Sequence, residues 1–277
     1  MRSSSKLVIP GAARNLLFGL AIAASAASAQ WLHYPTSGVP KNPDGSPNLS
    51  APAPRSADGR PDLSGTWEPE KNRPCPPEGC DDIQVPQEFV NIGWSVQGGL
   101  PFQPWALDLK KSRQARYSID DPATQCQPVG VMKTLTAPLL KKIVQTPGLL
   151  LILSERNAMY RQIFTDGRPL PEDPQPTWNG YSSGSWDGDT LVVRSNGFRD
   201  DGWLDRGGTP STGALKMTER FHRVNFGHME IDVTVDDLKA YTRPWDVKLM
   251  QTLALDTDLL DYICLENEKD RAHMSDK

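Results

Sequence analysis

The chain has 277 residues, with 30 Lys+Arg against 34 Asp+Glu, a formal net charge of −4 and a pI near 5.6. That acidic balance excludes nucleic acid and anionic membrane surfaces as partners held by general electrostatic attraction. Beyond the N-terminus no apolar run is long enough to span a bilayer, so no transmembrane anchor is expected.

The first 29 residues read as a signal peptide. Arg2, Lys6 and Arg14 form a positive leader, Leu16 to Ala24 an apolar run, and Ala27-Ser28-Ala29 a small-residue cleavage signal. No Cys sits at the cleavage point, so the mature chain is expected to start at Gln30 without a lipid anchor. It would carry 27 Lys+Arg against 34 Asp+Glu, formally −7. The expected compartment is periplasmic or extracellular, as a secreted protein. Four cysteines in an oxidising compartment favour disulfides, and three pairings are possible. Cys75 and Cys80 bracket the turn-like Pro-Pro-Glu-Gly, which favours a local bridge and leaves Cys126 with Cys264. Closing so long a loop contributes roughly 4–5 kcal/mol in the chain-entropy model. A zinc site at Cys75 and Cys80 lacks a nearby His or second Cys pair.

Residues 30–61 are rich in Pro, Ser, Asn and Gly and read as an extended lead-in along the domain surface, with Trp31 and Tyr34 as anchors. A single domain is expected over 62–270, followed by a short tail at 271–277. Its first strand is Gly65-Thr66-Trp67, and Gly-x-Trp on a first strand resembles the opening of lipocalin-like barrels, where the Trp plugs one end. The loop through Cys80 to Gly99 is irregular. Residues 100–116 predict a helix, with Pro104 in the first turn and Trp105, Leu109 and Ser112 on one face. Its Lys110, Lys111, Arg113 and Arg116 read as a solvated face. Asp120-Asp121-Pro122 ends that helix, and 126–130 reads as a loop.

Strands are then expected near 142–146, 149–155, 159–165, 180–186, 189–195, 214–223, 228–236, 244–253 and 260–264. Tight connections at Pro147-Gly148, Asp187-Gly188 and Phe226-Gly227 argue for antiparallel neighbours. Asp187-Gly188 suits a type I′ hairpin turn and is the strongest local signal in the chain. So many sequential strands would leave exposed edges unless they close. The expected fold is therefore all-β in the main: one antiparallel, lipocalin-like β-barrel with one short helix and a long irregular N-terminal segment.

Four segments are distinctive together: Arg161-Gln-Ile-Phe-Thr-Asp-Gly-Arg168-Pro, Gly184-Ser-Trp-Asp-Gly-Asp-Thr-Leu-Val-Val193, Leu215-Lys-Met-Thr-Glu-Arg220 and Tyr262-Ile-Cys-Leu-Glu-Asn267. They resemble a family of exported bacterial proteins of unassigned function, expanded in acidobacteria and sphingomonads. The resemblance covers roughly 60–270 and implies a shared fold and export, with no activity attached. Relatives often carry His where Leu170, Tyr181 and Ser211 stand here. It therefore implies no metal set at those positions in this chain.

Alternation over 214–223 puts Glu219 on the apolar face with Leu215, Met217 and Phe221. An inward carboxylate suits a general acid or base, or else it is satisfied by a structural partner. Arg161 shares its face with Ile163, so it points inward, either to an anionic or carbonyl group or to Glu219 itself. Asp166 and Arg168 flank a Thr-Asp-Gly-Arg-Pro turn, where Asp166 most simply accepts backbone N–H bonds. Tyr181, Trp178, Trp203 and Asp205 fall in or beside loops flanking the central hairpin, as aromatics and an acid at a barrel mouth would. His228, Glu230 and Asp232 form the polar stripe of a half-exposed strand rather than a metal site. Asp187 and Asp189 belong to the turn. No nucleophile elbow, P-loop, dinucleotide fingerprint or zinc-protease motif occurs.

The expected function is an exported barrel binding a small hydrophobic, aromatic or sugar-like ligand, through Trp178, Trp203, Asp166 and Arg168. The alternative is a cofactor-independent lyase, isomerase or hydrolase on the same barrel, with Glu219, Arg161, Tyr181 and Asp205 as catalytic residues. Neither reading calls for a metal or a cofactor. An accessory subunit of an envelope complex, docked through the Pro-rich lead-in, is a third.

Overall fold

The computed structural model describes residues 34–70, 92–93 and 96–264. The expected signal peptide, Trp31, Cys75, Cys80 and the expected tail lie outside the described residues. Nine strands form a closed barrel in chain order: β1 (Gly65–Pro69), β2 (Lys141–Thr146), β3 (Leu149–Ser154), β4 (Tyr160–Phe164), β5 (Tyr181–Asp187), β6 (Thr190–Asn196), β7 (Lys216–Arg223), β8 (His228–Asp236) and β9 (Trp245–Leu253). The alternation that predicted them is the alternation of burial. Met217, Glu219 and Phe221 of β7, and Met229, Ile231, Val233 and Val235 of β8, all turn inward, while their neighbours face out.

Three features differ from the expectation. The β4–β5 pairing is parallel, through Phe164 and Ser183, because residues 165–180 carry the chain back across the barrel before β5 starts. Residues 260–264 add no tenth strand. β9 pairs with β1 and closes the ring, so these residues are left only an isolated bridge between Tyr262 and Arg156. A second helix follows the expected one: α1 is Pro104–Ala115, and α2 is Gly130–Thr136, directly after the expected loop at 126–130.

The two ends of the barrel are closed differently. At one end Trp67 is fully buried, its Nε1 donating to the Leu63 carbonyl at 3.1 Å. The Arg223 guanidinium lies 4.9 Å over the Trp67 ring and donates to the carbonyls of Asp62, Ser64 and Phe226. Burial lowers its pKa to about 10, still charged at neutrality. Gly65 has φ +146°, and a Cβ there would stand 2.6 Å from Leu253 Cδ1, so the glycine before the plug is required. The lead-in lies along this end. Its Leu49 and Ala51 carbonyls accept from the backbone of Gly227 and Phe226 at 2.8 and 2.7 Å, and Arg55 forks onto Asp189 at 2.9 and 2.6 Å.

The β5–β6 hairpin turn is also at this plugged end, opposite Tyr181, which starts β5 at the other end. Only Gly188 takes a positive φ (58°) and Asp189 does not. A type I′ turn needs both, whereas a glycine at the first central position is the type II′ requirement.

α2 covers the second end. Val131 and Leu135 line one small cavity together with Ile152 and Arg161, and Met132 lines another with Leu215 and Met217, all of them buried. Both ends of the barrel are therefore stoppered. Among the described residues no helix is long and apolar enough to cross a membrane.

Candidate functional site

Inside the barrel, under α2, lies a closed polar cluster. Glu219 is fully buried and Arg161 is 6% exposed. Arg161 Nη1 donates to Glu219 Oε1 at 2.8 Å, and Nη2 to Oε2, a bidentate pair. The remaining donors reach Ser195 Oγ at 3.0 Å and Ser182 Oγ at 3.1 and 3.2 Å, and the two hydroxyls are 2.9 Å apart. Each charge meets its counter-charge within the barrel. The cavity beside Arg161 measures about 10 Å³ and the one against Met132, Leu215 and Met217 about 20 Å³, room for single waters. An organic ligand has no place here.

The other expected catalytic groups do not join this cluster. Tyr181 is 37% exposed at the covered end. Asp205 is buried, but its oxygens hold a turn, accepting from Thr209 N at 3.0 Å and Thr209 Oγ1 at 2.7 Å. The expected ligand-binding residues are also dispersed. Asp166 and Arg168 form an exposed ion pair at 2.6 Å near the plugged end, with Arg168 stacked 3.8 Å from the Phe164 ring. The hydrogen bonds from Arg168 hold the Asp166 carboxyl below its ordinary pKa. Trp203 is buried against Arg113, 4.3 Å from its ring, and Trp178 is half-buried under Arg199 at 4.6 Å. Each tryptophan carries an arginine over its ring, and both line the cavity of about 20 Å³ that Met132, Leu215 and Met217 also line.

Another buried cation was not anticipated. Lys141, at the start of β2, is 1% exposed and donates to Gln251 Oε1 at 3.0 Å. Gln251 Nε2 in turn donates to the Leu135 carbonyl at 3.2 Å, fastening the last turn of α2 to the barrel wall. Desolvation lowers the Lys141 pKa from 10.5 to about 7, with Glu68 and Glu155 pulling the other way.

A ligand-sized space lies outside the barrel, over the covered end. A groove of about 390 Å³ runs between the end of α2, the 3₁₀ turn Pro122–Gln125, the β3–β4 loop and the C-terminal segment. Asp121, Ala123, Lys133, Ala137, Pro138, Leu139, Arg156, Arg206 and Tyr262 are on its walls. The Cys126–Cys264 disulfide builds this groove by holding the C-terminal segment against the body. Around it Asn157 N donates to the Tyr262 carbonyl at 2.6 Å, Tyr262 N to the Glu155 carbonyl at 3.1 Å, and Cys264 N to Asn157 Oδ1 at 2.9 Å. In the sequence Tyr262 stands out only within a family-like segment and Asp121 only as the end of a helix, and no residue of this groove is expected in the site. The usable signal was an Arg in a short connection, Ser154-Glu-Arg-Asn-Ala158, at the end of the barrel opposite the plug.

No family model matches the chain, and no curated protein matches it.

Proposed function

We propose that the protein is an exported binding barrel, as the resemblance to exported bacterial proteins implies, and that its small-molecule site is the groove over the α2-covered end. The groove itself carries this reading. Its volume of about 390 Å³ falls in the range of small-molecule sites, while the cavities against the inward-facing side chains hold about 10 and 20 Å³. Its lining mixes apolar surface from Ala123, Ala137, Pro138 and Leu139 with a half-exposed tyrosine and convergent cations. The Cys126–Cys264 bridge that shapes it suits an oxidising, extracytoplasmic compartment.

The test is native mass spectrometry of the mature protein purified from its own host, followed by a thermal-shift screen of chemically varied small molecules. The reading requires a co-purifying mass or a saturable stabilisation. A consistently empty protein that no compound class stabilises contradicts it.

A further inference from the structure

The geometry points to a ligand class for this groove: a small organic anion, a carboxylate on an aromatic or flat apolar body, with Arg156 as its fork. This inference rests on the groove being the ligand site. Arg156 motivates it. Its guanidinium has no hydrogen-bond or ion-pair partner among the described residues, and its Nε is buried with no acceptor. A desolvated donor of that kind costs free energy, and the two Nη groups, which are not closed off, are the donors an acceptor in the groove would meet. The fixed fork of an arginine matches a carboxylate edge to edge.

The groove's own acid cannot serve. Asp121 accepts from Lys133 Nζ at 2.7 and 2.5 Å, and its Oδ1 also accepts from Ala123 N at 2.9 Å. Burial lowers the Lys133 pKa, Asp121 opposes this, and the charge of Arg156 adds to the lowering. Lys133 and Arg156 thus lie close enough to repel each other, and the Asp121 carboxylate on the groove wall is already taken by Lys133. Arg156 is the cation left for an added anion. Around it Tyr262, 52% exposed, offers a ring face, and Ala123, Pro138 and Leu139 an apolar wall.

Backbone strain surrounds the groove. Cys126, Asn157 and Ala158 hold left-handed φ values of 56°, 54° and 48°, and Ser118 (55°) reaches the Arg206 carbonyl through its hydroxyl at 3.2 Å. These positions close the turns beside the groove, Cys126 as the left-handed C-cap of the 3₁₀ turn Pro122–Gln125. On an acidic chain this cationic lining is a local exception.

The experiment titrates the disulfide-bonded mature protein with benzoate, phenylacetate and cinnamate, with neutral benzamide, and with inorganic phosphate, followed by calorimetry. The aromatic carboxylates should bind, benzamide and phosphate at least tenfold more weakly. Arg156→Met should remove at least a factor of ten from carboxylate affinity while leaving the melting temperature unchanged or raised, since an unanswered cation is removed. Arg156→Lys should recover part of the loss. Benzamide binding as well as benzoate, or full carboxylate affinity in Arg156→Met, overturns the inference. Phosphate binding as tightly as the aromatic acids overturns the aromatic part of it. Neutral or cationic compounds bound in place of acids sink the ligand class but leave the groove as the site, whereas binding of nothing at all removes both.

Discussion

Glu219 and Lys141 place the same demand on the barrel interior and meet it differently. Glu219 has a full counter-charge in Arg161, with two serines satisfying the remaining guanidinium donors. Removing one partner strands the other, so Arg161→Met should cost about 3–5 kcal/mol by chemical denaturation. Adding Glu219→Leu to it should restore much of that loss, because a buried ion pair exchanged for apolar volume is often close to neutral. Additive losses in the double variant would mean that the pair is not the coupled unit described. Lys141 has only a neutral amide. Its folded pKa of about 7 lies below the 10.5 of the unfolded chain, so unfolding takes up a proton between those values. Stability from this group therefore rises with pH through that window and is lowest below pH 7, at up to ~1.4 kcal/mol per pH unit. Lys141→Met should raise stability at pH 6.5 and flatten the profile toward pH 9. An unchanged slope in the variant would refute the assignment. The inward phase of Glu219 and Arg161 was legible from strand alternation alone. Their mutual pairing was one of two open readings, because alternation gives the face of a side chain and not its partner.

Among the elements, the strands were legible and their closures less so. β8 follows the expected 228–236 because its apolar and polar residues alternate without interruption. α2 was missed for a physical reason. Gly-Val-Met-Lys-Thr-Leu-Thr is one short, β-branched stretch with little intrinsic helicity, and it is helical because Val131, Met132 and Leu135 fill the barrel end. The parallel β4–β5 contact was equally invisible, since it depends on where the 165–180 crossing lands. The C-terminal segment makes no strand, yet its Cys264 positions Tyr262 over the groove. Replacing both Cys126 and Cys264 by Ser should lower stability by up to roughly 4–5 kcal/mol, the loop-closure value, and weaken ligand binding as Tyr262 detaches. Denaturation and calorimetry on the same sample test this. Full affinity in a destabilised variant would show that the groove does not depend on the bridge.

At the scale of the molecule, the fold has moved its usable space. A barrel of this kind can hold a ligand within, but here Trp67 and Arg223 fill one end, α2 covers the other, and aliphatic side chains occupy the middle. The groove draws on five separate stretches of chain: the turn around 121–126, α2 with 137–139, the β3–β4 loop, Arg206 and Tyr262. No local pattern marks residues that only meet in space, which is why sequence reasoning picked out single aromatic residues and not this groove. The hairpin at Asp187-Gly188, the clearest local signal, organises the plugged end and stands away from the groove.

The most direct test is where a bound ligand sits. Amide chemical shifts of the isotope-labelled protein, recorded while an aromatic carboxylate is added, should move at 121, 123–126, 133–137, 139, 156–158, 206 and 262, and stay still at Met217, Glu219 and Val233. Shifts concentrated on the inward-facing strand residues, with the groove unchanged, would contradict a barrel closed at both ends that binds on its covered face.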